Sequence, residues 1–91
     1  MHEPRVRMEL FGIPRVVAGV DALEAHGASL RAVLHDAVDA CPELGEQVLA
    51  PDRAWLNSGY TFVVDGRFVN DPDYPIGAGS SLLLVSRASG G

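Results

Sequence analysis

The 91-residue sequence has no lysine, and its seven cationic side chains are all arginine. It has a single cysteine, Cys41, a single tryptophan, and only 7% aromatic residues. One cysteine excludes an internal disulfide and any cysteine-rich metal site. No apolar run approaches the roughly 20 residues that a membrane-spanning helix requires. Met1-His2-Glu3-Pro4 lacks a basic stretch followed by an apolar core, so no signal peptide is read there and a reducing cytoplasm is the expected location. The net charge of −5 argues against nucleic acid, whose phosphates are held by clustered cations. The expected partner is neither nucleic acid nor membrane but a basic or mixed protein surface.

What is present fits one small domain. The chain is 47% hydrophobic and 21% charged, which is ordinary for a globular protein, and its length allows one core but not two. From Arg5 to Phe11 apolar residues alternate, with Val6, Met8 and Leu10 on one side of a half-buried strand. Gly12-Ile13-Pro14-Arg15 breaks the pattern, and Val16 to Ala25 reads as a second strand interrupted by Gly19. Ser29 stands as an N-cap before Leu30, Val33, Leu34, Ala37, Val38 and Cys41, the stripe of an amphipathic helix that ends before Pro42. Glu43 to Ala50 has room for a short helical turn, and Pro51 to Gly59 reads as a loop. Tyr60 to Val64 and Arg67 to Val69 flank Asp65-Gly66, a two-residue hairpin signal. Asn70 to Ser80 is rich in loop residues, and Ser81 to Ser86 is the last strand.

One helix of about twelve residues cannot cover both faces of a sheet, so it packs on one. The first and last strands are the most apolar and suit inner positions, and the helix between early and late strands permits a crossover that makes them parallel neighbours. The expected class is therefore α+β: a β-grasp (ubiquitin-like) roll, a mixed sheet of four to five strands with one main helix on one face. Residues 1–86 are assigned to that domain and 87–91 to a flexible diglycine tail. A Gly-Gly pair ends about one chain in 200 by chance, so the tail alone proves nothing about function.

Five segments carry a resemblance across nearly the whole chain: Val6-Arg7-Met8-Glu9-Leu10-Phe11-Gly12, Leu56-Asn57-Ser58-Gly59, Phe62-Val63-Val64-Asp65-Gly66-Arg67, Tyr74-Pro75-Ile76-Gly77-Ala78-Gly79 and Ser89-Gly90-Gly91. In this order they resemble the MoaD/ThiS group of sulfur-carrier proteins, closer to the small subunit of molybdopterin synthase than to the thiamin type. Two departures stand out. Ser86-Arg87 occupies the place of a frequent Pro-Pro pair, and Gly77-Ala78-Gly79 that of a frequent Asp-Gly-Asp turn.

The resemblance implies a protein that is a covalent carrier rather than an enzyme. An E1-like enzyme adenylates the Gly91 carboxylate with ATP, and sulfur from a persulfide converts it into a thiocarboxylate. That group then donates sulfur inside a synthase partner subunit, with molybdopterin precursor the expected acceptor. No cofactor is bound by the chain itself, and ATP is used by the activating enzyme. Gly91 is the reacting residue, and Gly90, Ser89, Ala88 and Arg87 give access to it. Fully extended, residues 87–91 span at most roughly 16–18 Å. Thiamin, cysteine or a specialised thio-metabolite are the other destinations. A ubiquitin-like modifier and a non-covalent β-grasp interaction module are the alternative functions. Without lysine, the chain cannot link to its own copies through side-chain isopeptide bonds.

Strand parity supplies a docking surface. If Val6, Met8 and Leu10 face the helix, Phe11 faces away, and the same alternation leaves Val63, Leu83 and Val85 on the open face. These four residues form the expected partner-binding patch, since contiguous exposed apolar surface marks interfaces, although single exposed apolar residues are common. Cys41 lies on the apolar stripe and reads as packing. His2, His26 and His35 have no metal-ligand spacing, so no metal site is expected. Asp71 and Asp73, flanking Pro72, read as a solvated turn. Trp55 either caps the core or rims an interface.

Overall fold

The computed structural model describes residues 4–87. Strand β1 runs Arg5–Leu10, helix α1 Ile13–Ala18, strand β2 Ala22–His26, helix α2 Leu30–Ala40 and helix α3 Pro42–Val48. Strands β3, β4 and β5 follow as Tyr60–Val64, Arg67–Val69 and Leu82–Ser86. The five strands form one sheet in the order β2-β1-β5-β3-β4. β1 and β5 are parallel, in the register Met8↔Leu82 and Leu10↔Leu84, and every other pairing is antiparallel. The predicted crossover is thus present, and the last strand lies at the centre of the sheet.

α2 supplies the cover. Ser29 accepts a hydrogen bond from Ala32 N at 3.2 Å, satisfying one of the donors that a helix start leaves open. Leu30, Val33, Leu34, Ala37 and Val38 are buried against the sheet face made by Met8, Leu10, Phe62, Leu82 and Leu84. Each of the Leu, Val, Met and Phe side chains among them, fully buried, contributes about 1.5–3 kcal/mol relative to exposure. Cys41 belongs to this cluster and is buried. α3 extends the cover with Leu44 and Val48. Its Gly45 sits against α2 so closely that a Cβ there would lie 2.5 Å from Val38 Cγ1.

The segment read as one strand from Val16 to Ala25 is instead α1 followed by β2. Pro14 stands in the first turn, where its fixed φ suits helix initiation and its missing N–H costs nothing. Gly19 ends the helix in the left-handed region, at φ 74°, a conformation that a side chain penalises. Six residues are too few for the helical period to show in the sequence, and the β-branched Ile13, Val16 and Val17 imitate a strand. The room for a turn after Glu43 is filled by the seven-residue α3.

The Asp65-Gly66 turn has positive φ at both positions, 50° and 85°, the type I′ geometry that matches strand twist. Trp55 is half-buried, its ring centroid lies 5.7 Å from that of Phe62, and its Nε1 donates to Asn70 Oδ1 at 2.8 Å. It therefore closes one edge of the core. Asp71 accepts from Asp73 N at 3.0 Å and Asp73 pairs with Arg31 at 2.7 Å, so the two acids organise a turn. Among the described residues no helix is long and apolar enough to cross a membrane.

Candidate functional site: the open sheet face and the root of the C-terminus

Alternation along the strands leaves the second sheet face without a helix. Across it, cross-strand register places Ala22, Glu9, Leu83, Val63 and Phe68 in one row that crosses all five strands. Leu83, Val63 and Val85 are half-buried on this side, while Leu82, Leu84, Phe62 and Val64 are buried on the other. A groove of about 580 Å³ opens beside that row, lined by Thr61, Val63, Phe68, Asn70, Val85, Ser86 and Arg87. Its walls are mainly apolar, and among the described residues Arg87 is the one charged side chain that lines it.

Of the four predicted patch residues, Val63 and Val85 line the groove and Leu83 sits directly beside Val63. Phe11 is 43% exposed but lies apart from the groove. Its N–H donates to Leu84 O at 3.2 Å, so it stays beside β5, and the chain turns into α1 only after it, through Gly12 at φ 66°. Phe68, 78% exposed, is the residue sequence reasoning missed. The signal was available: a two-residue turn at Asp65-Gly66 places Phe68 opposite Val63, hence on the same face.

Arg87 connects the groove to the terminus. Its N–H donates to the Gly59 carbonyl at 2.7 Å, one step beyond the Tyr60↔Ser86 pair of the ladder. The Gly59 end is braced from below. Asn57 N donates to Val48 O at 2.8 Å, Asn57 Nδ2 donates to Gln47 O at 3.1 Å, and Gln47 Nε2 donates to Tyr60 OH at 2.7 Å. The Leu56-Asn57-Ser58-Gly59 segment thus ties α3 to the edge from which the C-terminus departs. Ala88, Ser89, Gly90 and Gly91 lie outside the described residues.

A second apolar surface, unforeseen because its segment read as a strand, lies on and beside α1. Ile13, Val16 and Val20 are exposed, Val16 to 80%. A shallow groove there is framed by Arg15 and Asp21, paired at 2.8 Å.

His26 and His35 occupy structural positions, while His2 lies outside the described residues. His26 donates its backbone N–H to Asp36 at 2.8 Å, and His35 Nε2 meets Ala54 O at 3.2 Å. Among the described residues no three His, Cys, Asp or Glu side chains gather as metal ligands. The Gly77-Ala78-Gly79 segment closes on itself, with Gly77 N donating to Ser80 Oγ at 3.1 Å and Ser80 N to Gly77 O at 3.0 Å.

Comparison with known proteins follows from this geometry. No family model and no curated protein matches the sequence. Solved structures do match. SAMP1, the small archaeal modifier protein 1, of Haloferax volcanii superposes with a TM-score of 0.83 at 24% identity, covering 96% of this chain and 99% of its own. The fold is that of the ubiquitin-like β-grasp proteins. A chain of the Amycolatopsis orientalis BexX/CysO complex matches at TM-score 0.77 and 18% identity over 94% of this chain and 99% of its own. A candidate subunit 1 of molybdopterin converting factor from Pyrococcus furiosus matches at 0.73 and 22%, over 93% and 99%. The likeness is one of fold, and nearly the whole length of each chain takes part.

Proposed function

We propose that this β-grasp chain is a sulfur carrier whose Gly91 carboxylate is activated as an adenylate and converted to a thiocarboxylate. The observation that carries the reading is the Gly90-Gly91 pair just past β5, the central strand of the sheet. The names of the solved neighbours support it: a modifier, a CysO complex and a candidate molybdopterin converting factor subunit. Glycines without Cβ let a terminal carboxylate enter a narrow active site.

The chemistry closes as follows. A carboxylate oxygen of Gly91 attacks the α-phosphorus of ATP in an E1-like enzyme, and pyrophosphate leaves. The terminal sulfur of a protein persulfide attacks the resulting acyl adenylate and AMP leaves, giving an acyl disulfide. A thiol then attacks the sulfur still attached to the donor, forming a disulfide with it and releasing the thiocarboxylate. In this scheme the chain supplies no general base. Its sheet face, through Val63, Leu83, Val85 and Phe68, docks the activating enzyme and then the synthase partner subunit. Molybdopterin precursor is the first choice of acceptor.

The test is intact-mass measurement after incubation with the E1-like enzyme, ATP and a persulfide donor. The carrier reading expects a gain of about 16 Da, oxygen replaced by sulfur at the activated carbonyl. It fails if removal of Gly90-Gly91 leaves that product and partner activity intact. A second reading, a ubiquitin-like modifier, draws on the modifier named among the neighbours, and branched Gly-Gly remnants on lysines of other proteins would favour it.

A further inference from the structure

Among the described residues five large apolar side chains are exposed, and four of them, Phe11, Ile13, Val16 and Val20, fall on or beside α1. The helix is turned so that Pro14 is buried and Ala18 packs against the core. Ile13 and Val16, one turn apart, therefore lie on its outer side, and Val20 follows just past its end. Val16 is 80% exposed, the most of the five. Single exposed apolar residues are ordinary, but a cluster of them marks an interface.

The same surface supplies both a knob and a hollow. Val16 stands at the side of the shallow groove, whose lining includes Gly19 and Val20. Gly19 ends the helix at φ 74°, and a Cβ there would meet nothing within 4 Å, so the space above it is open. Charge is balanced across the groove as well. Arg15 and Asp21 meet at 2.8 Å, with side chains 58% and 72% exposed. Their contact uses Arg15 Nε, which leaves the remaining guanidinium N–H groups for a second carboxylate. A surface with a protruding residue, an open hollow and one charge of each sign is complementary to itself under a two-fold rotation.

We propose that α1 is a self-association surface whose occupant is a second copy of this chain. The two-fold axis passes through the groove, so that Val16 of each copy enters the hollow over Gly19 of the other, and Arg15 of each faces Asp21 of the other. A rim of one sign would repel its own copy, whereas this rim sets opposite charges together despite the net charge of −5. A contact built on one six-residue helix lies at the small end of specific interfaces, below roughly 1,200 Å² in total. The pair is therefore weak, with Kd on the order of 0.1–1 mM. Its place on the molecule is defined: Gly12, in the groove lining, lies against Ser86 at the end of β5, where a Cβ would come 3.1 Å from Ser86 Oγ. Pairing thus occurs at the end of the molecule from which the C-terminus departs.

Sedimentation velocity on the full chain from about 10 μM to about 1 mM tests the proposal. The wild type should shift from monomer toward dimer across that range. Val16→Asp, at a position too exposed to be needed for folding, sets two carboxylates into one interface and should raise Kd at least about tenfold. The decisive arm exchanges the rim charges. Arg15→Asp makes both sides of the groove acidic and Asp21→Arg makes both basic, so each variant alone should stay monomeric, while an equimolar mixture of the two should pair. That recovery cannot come from a contact within one chain. A wild type that remains monomeric at about 1 mM overturns the proposal, and so does a mixture that fails to pair. If Val16→Asp self-associates like the wild type but no longer binds the E1-like enzyme, the surface belongs to that enzyme and the second copy is excluded. None of the self-association readouts uses Gly91, so a chain that is never adenylated would sink the carrier reading and leave this one to be decided separately.

Discussion

The two faces of the sheet are made by alternate residues of the same strands, and they answer to different demands. On the helix-covered face Met8, Leu10, Phe62, Leu82 and Leu84 are buried beneath α2. One residue away along each strand, Glu9, Val63, Leu83 and Val85 are half-buried, and Phe68 stands 78% exposed. The first set has its energetic partners within the chain. The second, apolar but for Glu9, has no helix above it, an arrangement that serves association better than folding. The lesson is that a single-residue shift in parity separates stability from recognition, so the two can be broken independently.

Breaking the covered face should have the largest effect. Phe62→Ala removes a fully buried ring that also meets Trp55 and should cost about 3–5 kcal/mol, measured by chemical denaturation. On the open face the same truncation should separate the two properties. Phe68→Ala should change stability by no more than about 0.5 kcal/mol, yet weaken binding to the activating enzyme by about 2 kcal/mol, roughly thirtyfold, if Phe68 is an aromatic anchor of the interface. Isothermal titration alongside denaturation would read both, and equal losses in the two would collapse the distinction between the faces. Ser29→Ala, which removes the cap of the covering helix, should cost about 1 kcal/mol with no change in partner affinity. Smallest of all, breaking the exposed Arg5–Glu24 pair with Glu24→Gln should cost well under about 1 kcal/mol and leave binding unchanged at physiological salt.

Much of this contrast was legible in the sequence because strand alternation is a local property. Val6, Met8 and Leu10 against Glu9, and Leu82 and Leu84 against Leu83 and Val85, need only the two-residue period to be sorted. The α2 stripe and its Ser29 cap were equally plain. Two features were hidden for physical reasons. α1 is six residues long, three of them β-branched, and shorter than the window in which helical periodicity becomes visible. The turn at Gly12 that sends the chain into α1 depends on a backbone angle, 66°, that residue pattern does not express. The bracing of Gly59 by Asn57 and Gln47 was out of reach for another reason. It joins residues ten apart across a loop and a helix end, and no periodicity encodes such a contact.

The parallel pairing of β1 with β5 has a consequence for how the protein comes into being. The first strand to leave the ribosome must wait for the last, since β5 fills the place between β1 and β3. Contacts of such wide sequence separation form late and slow the approach to the native state. A nascent chain that stops short of Leu82 leaves two unpaired strand edges facing each other, open to aggregation and to proteolytic quality control. Closure of the sheet therefore waits for β5, the strand nearest the diglycine.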